Sequence, residues 1–166
     1  MANIGVVDDG NPALGEVMNL LSRRNLLYKP VREPDRSMDL NVKLGTDQFP
    51  AEAARNPSDF AARVREKLSD EKRLLRIYGS SVVIGYLTGE GDNARLFLLN
   101  YLSRPVVGLQ VRVRGNYSVA KAHVPGSPNA MVKDPLTREG GTEFTMPDFQ
   151  RFAVVDLTKG QRRSSR

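Results

Sequence analysis

The sequence predicts an α+β protein, with an N-terminal βαβ segment followed by an antiparallel β-sandwich of Ig-like or jelly-roll-like type. Three observations predict it. Leu109, Val111 and Val113 alternate with Gln110, Arg112 and Arg114, the period of a strand with one face on a core and one in water. From Arg73 onward, apolar runs of strand length alternate with Gly, Pro, Asn and Asp clusters at short, regular spacing, as in a sandwich or barrel. Before that point two amphipathic helical patterns, each opened by Asn-Pro, lie among short apolar runs. The chain is therefore expected to divide into a partial α/β segment over 1–70, a sandwich over 71–158 and a basic disordered tail over 159–166.

In order, Ile4 to Val7 is a short apolar run closed by Asp8-Asp9-Gly10. A helix follows, with Asn11 as N-cap, Pro12 at the first position and Leu14, Val17, Met18 and Leu21 on one stripe. Arg23 and Arg24 complement its C-terminus, and Asn25 suits a left-handed closing residue. Leu27 to Arg32 completes a β-α-β unit, for which a right-handed crossover is the default. A third strand is expected over Asp39 to Leu44. A second helix opens with Asn56 and Pro57 and buries Phe60, Ala61, Val64 and Leu68. Two or three parallel strands with two helices would leave sheet faces uncovered. Eight further strands are predicted: Leu74 to Tyr78, Val82 to Leu87, Arg95 to Asn100, Leu109 to Arg114, Tyr117 to Val124, Ala130 to Lys133, Glu143 to Thr145 and Phe152 to Leu157.

Composition narrows the chemistry. With 166 residues, 40% of them hydrophobic, the chain can bury a core. The absence of cysteine excludes disulfides, thiolate metal sites and cysteine nucleophiles. A single histidine, His123, leaves no multi-histidine metal site, and no cofactor motif is present. No apolar run is long enough to span a bilayer, and the opening residues lack the basic n-region of a secretory signal. The net charge of +6 raises a polyanion hypothesis, but part of the excess lies in the Lys159 to Arg166 tail, which disfavours nucleic acid as the partner.

Four places have candidate chemistry. Val6-Val7-Asp8-Asp9 resembles the opening of a receiver domain, whose acids hold Mg²⁺ beside a phosphorylated aspartate. No aspartate ends the Asp39 to Leu44 run, so the simpler reading is a turn and a helix start. Glu90 and Asp92 alternate as oxygen ligands for a hard cation would, within ordinary hairpin composition. His123 has no carboxylate partner nearby in sequence and reads as a surface residue. Finally, a two-residue hairpin at Gly115-Asn116 would set Arg114 against Tyr117, Arg112 against Val119 and Gln110 against Lys121. Arg112, Arg114, Tyr117 and Lys121 would then form a basic strip able to bind an anionic polysaccharide or single-stranded nucleic acid.

Three segments, Arg73 to Tyr101, Val111 to Gly126 and Thr142 to Leu157, together resemble the small C-terminal β-sandwich of many multidomain glycoside hydrolases. The likeness rests on the strand ending in Asn100-Tyr101, the alternating strand after it, and the run from Phe144-Thr145 to Ala153-Val154-Val155-Asp156-Leu157. The preceding α/β piece is similar to the end of the flavodoxin- or amidotransferase-like domain of β-galactosidase-like proteins. The resemblance implies a non-catalytic accessory module of a carbohydrate-active protein, whose partner is the rest of a larger enzyme or another protein. A free-standing binding domain for an anionic polymer is the alternative. No catalytic carboxylate transfers, and without tryptophan a flat sugar-stacking platform is poorly supported, although Tyr78, Tyr86, Tyr101 and Tyr117 remain.

Overall fold

The computed structural model describes residues 1–90 and 92–159. They fall into two compact units that divide between Leu74 and Leu75.

The first unit is a three-stranded parallel sheet of β1 (Ile4–Val7), β2 (Tyr28–Val31) and β3 (Leu40–Val42), in the order β2-β1-β3. Helices α1 (Ala13–Arg23) and α2 (Pro57–Leu68) supply its core, where Leu14, Val17, Leu21, Phe60, Val64 and Leu68 cluster with Ile4, Val6 and Val42. The predicted inward stripes of both helices are thus the buried ones. Asn11 closes the start of α1: its side chain accepts the Ala13 N–H at 3.0 Å and its carbonyl the Leu14 N–H at 3.0 Å. Asn56 does the same for α2 through the Asp59 N–H at 3.3 Å, with Pro57 first in the helix. Asn25 ends α1 in the left-handed region, at φ 55°.

The second face of this small sheet is not left bare. The β2–β3 connection brings Met38 against Gly5, where a Cβ would lie 3.3 Å from the Met38 Cγ and 2.7 Å from the Asn41 Oδ1. Glycine at this position lets the connection approach the central strand. Asn41 fixes that connection by accepting the Asp35 N–H and donating to the Asp35 carbonyl, both at 2.9 Å.

The second unit holds eight strands: β4 (Leu75–Tyr78), β5 (Val83–Glu90), β6 (Asn93–Asn100), β7 (Gln110–Arg114), β8 (Tyr117–His123), β9 (Lys133–Arg138), β10 (Gly141–Thr145) and β11 (Phe152–Lys159). They form two antiparallel four-stranded sheets, β4-β7-β10-β9 and β5-β6-β11-β8. Each buries alternate residues. Leu75, Val111, Val113 and Phe144 come from the first sheet, and Leu87, Leu96, Leu98, Val155 and Leu157 from the second. Leu109, Val111 and Val113 are buried as their alternation predicts.

Three expectations are corrected here. The strand predicted over Ala130 to Lys133 instead begins at Lys133 and runs to Arg138. It is an edge strand exposed along its whole length, with Pro135 inside it, so it has neither alternation nor β-propensity to reveal it. Gly115-Asn116 is not a hairpin, because β7 and β8 belong to different sheets and the chain crosses between them there. Lys159 is the last residue of β11, not part of a tail; 160–166 lie outside the described residues.

Candidate functional site

The predicted basic strip does not assemble. The Gly115 N–H donates to the Gly140 carbonyl at 2.7 Å, and the Thr142 hydroxyl accepts the Tyr117 N–H at 2.8 Å with its oxygen 2.7 Å from the Gly115 carbonyl. These bonds tie the corner to β10 and turn the chain away from β7. The Tyr117 ring folds over Gly115, where a Cβ would sit 2.6 Å from it, and the residue is only 6% exposed. Arg112 is held by Glu143 at 2.8 Å and by the Glu139 carbonyl at 2.9 Å, with 13% of its side chain exposed. Arg114 is exposed at the end of β7, and Lys121 lies on the other sheet, opposite Asp156. The facing pairs expected of a hairpin are therefore not formed.

The outward face of β5-β6-β11-β8 brings together residues that the sequence reading did not connect. Tyr86 on β5 stands opposite Phe97 on β6, with ring centroids 6.4 Å apart, and Phe97 lies 6.3 Å from Phe152 on β11. The interplanar angles are 39° and 30°, tilted arrangements far from perpendicular. Tyr86 is 60% exposed, Leu99 49% and Phe152 39%. One turn of the pleat further along β6 and β11, Arg95 stands opposite Asp156, and its Nε donates to Oδ1 of that carboxylate. His123 reaches the other carboxylate oxygen from β8, with Nε2 3.0 Å from Oδ2.

His123 is exposed, as expected, and it also has a carboxylate partner, 33 positions away in sequence, which it meets only through the β8–β11 pairing. The hydrogen bond from Arg95 holds the Asp156 carboxyl below its ordinary value against the opposing effect of burial, and His123 adds to the lowering. Arg95 is raised in turn by Asp156. Beside this row lies a shallow depression of about 460 Å³ bordered by Lys121, His123, Ser127 and Phe152. A signal for the aromatic row did exist: Tyr86, Phe97 and Phe152 all fall in the outward phase of predicted strands, where polar residues are the rule.

The outward face of the other sheet has a depression of about 530 Å³ lined by Tyr78, Gln110, Leu136, Arg138, Glu143 and Thr145. Glu143 is already engaged there. Burial pushes its carboxyl up, but the Arg112 hydrogen bond, together with Arg138 at 3.0 Å, brings it below its ordinary value.

The remaining acids are turn-formers. Asp8 accepts the Gly10 N–H at 3.2 Å and Asp9 the Asn11 N–H at 3.1 Å, the Asx turns that the simpler reading expects. Glu90 pairs with Asn93 at the end of the β5–β6 ladder, and Asp92 accepts the Lys159 backbone N–H at 2.7 Å through its own carbonyl. Among the described residues no group of three His, Cys, Asp or Glu is placed to hold a metal ion.

The residues behind the glycoside hydrolase resemblance act as joints. Asn100, 1% exposed, donates to the Arg104 carbonyl at 2.8 Å and the Gln150 carbonyl at 2.7 Å, and accepts the Leu102 N–H at 3.0 Å. Tyr101 donates its hydroxyl to the Ser81 carbonyl at 3.0 Å.

No family model and no curated protein matches the sequence. Among solved structures, the alpha-L-fucosidase isoenzyme 2 from Paenibacillus thiaminolyticus aligns at 14% identity with a TM-score of 0.48, over 66% of this chain and 19% of that one. The alpha-amylase from H. orenii aligns at 14% identity with a TM-score of 0.31, over 64% of this chain and 20% of that one. This chain thus spans about a fifth of the length of each of these proteins.

Proposed function

We propose that this chain is a non-catalytic accessory module of a carbohydrate-active protein, in which the α/β unit and the β-sandwich stabilise or help assemble a larger enzyme. The observation that carries this reading is the use made of the residues behind the sequence resemblance. Asn100 and Tyr101 pin loops, Thr142 pins the corner between the sheets, and Phe144, Ala153, Val155 and Leu157 fill the core. A motif whose members are mostly joints and core, with Asp156 the exception on the outward face, supports a scaffold more than a reaction. The partner expected from it is the rest of the enzyme, on the same polypeptide or a neighbouring one.

Antibodies against the chain are expected to precipitate a glycosidase activity from the source cells. A precipitate without that activity overturns the reading. So does hydrolysis of nitrophenyl glycosides by the purified 166-residue chain itself.

A further inference from the structure

We infer that the outward face of the β5-β6-β11-β8 sheet binds a neutral saccharide, laid across Tyr86, Phe97 and Phe152 with its hydroxyls directed to the Asp156–His123–Arg95 row. The inference rests on the face itself and does not depend on the accessory reading.

Three features select this ligand. The first is the chemistry of the rings. Three aromatics lie in a row across adjacent strands, with ring centroids 6.4 and 6.3 Å apart, and Tyr86 and Phe152 are exposed. The C–H face of a sugar ring is apolar and fits such a surface, while its rim is all hydroxyl. The second is charge. Arg95 spends its charge on Asp156, and the His123 ring nitrogen bonds to the same carboxylate, so the row next to the rings is a set of engaged hydrogen-bonding groups with Lys121 at its edge. A polyanion would draw on several unpaired cations. Hydroxyls, as both donors and acceptors, can bond to carboxylate and guanidinium alike.

The third feature is size. Scaled by the roughly 150–250 Å² of an aromatic side chain, the exposed parts of Tyr86, Leu99 and Phe152 amount to on the order of 300 Å². A stable protein interface needs about 800 Å² from each partner. The apolar strip is narrow, and the Arg95–Asp156 ion pair borders it on one side. It suits an oligosaccharide a few rings long.

The test is calorimetric titration of the full chain with neutral oligosaccharides (cello-, xylo-, malto- and laminari-hexaose) and with heparin and poly-dT as charged probes. Binding of at least one neutral hexaose is expected, unchanged when salt is raised enough to screen surface charges. Tyr86→Ala, at a site more than half exposed, is expected to weaken it by about tenfold or more with unchanged thermal melting. Phe152→Ser should act in the same direction, and a melting curve separates lost binding from lost folding. The inference is overturned if no neutral hexaose binds at millimolar concentration, if Tyr86→Ala binds as well as the parent, or if only heparin or poly-dT binds. Self-association that Tyr86→Ala abolishes would overturn it as well, by assigning the face to a second copy. None of these outcomes bears on whether the chain accompanies a glycosidase.

Discussion

Asn100 shows most clearly how a single side chain organises the sandwich. Its amide and carbonyl satisfy two carbonyls and one N–H at the joint between β6 and the loops that follow it and precede β11. Asn100→Ala strands these groups in a buried site. It is expected to cost about 2–4 kcal/mol, read as a lowered urea midpoint with an unchanged slope. Thr142→Val keeps the shape but removes the hydroxyl that holds the crossover corner, and about 2 kcal/mol is expected from the same measurement. Local chemistry was readable at this scale where partners are neighbours: Asn11, Asn25 and Asn56 all do what their types predict. His123 was not, because its partner Asp156 is brought to it by strand pairing.

At the scale of elements, helices and central strands were legible and the edge and the corner were not. Both helices announce themselves by cap and stripe, and β7 by strict alternation. The Gly115-Asn116 pair looks like a hairpin turn in sequence. Whether it closes a hairpin or crosses between sheets is decided by Gly140 and Thr142, more than twenty residues downstream. The candidate basic strip fell with that turn, because an error of connection moves every facing pair. Strand β9 was misplaced because solvent covers it, leaving no periodicity to read. Its exposed Pro135 and flanking Lys133, Asp134 and Arg138 suit an edge that must not recruit another strand. Replacing Pro135 with Val is expected to increase concentration-dependent light scattering of the folded protein without lowering its melting temperature.

For the whole molecule, the depressed carboxylates set an acid limit. Asp70 is held at about 2 by the hydrogen bond from Arg65, against burial, with help from Arg73. Asp35 is also held at about 2, by the Ser37 hydroxyl and N–H and by Lys29. Asp156 and Glu143 shift the same way. Since each folded value lies below the unfolded one, near 4, the ionised carboxylates favour the fold at neutral pH. That stability is present above about pH 4 and is lost as pH falls from about 4 toward about 2. Urea midpoints should therefore be level near neutrality and drop across that acid window. A flat profile down to pH 2.5 would contradict the assignment, and Asp70→Asn should remove part of the drop.

The position of β11 has a consequence for how the chain is made. It is the last of the described strands, yet it pairs with β6 on one side and β8 on the other. During synthesis β5 and β6 can form a hairpin early, while β8 has no neighbour in its sheet until β11 has left the ribosome. Until then the sheet is incomplete and its aromatic row lacks Phe152. A chain truncated before Phe152 would leave β6 and β8 with unpaired edges, the kind of surface that aggregates.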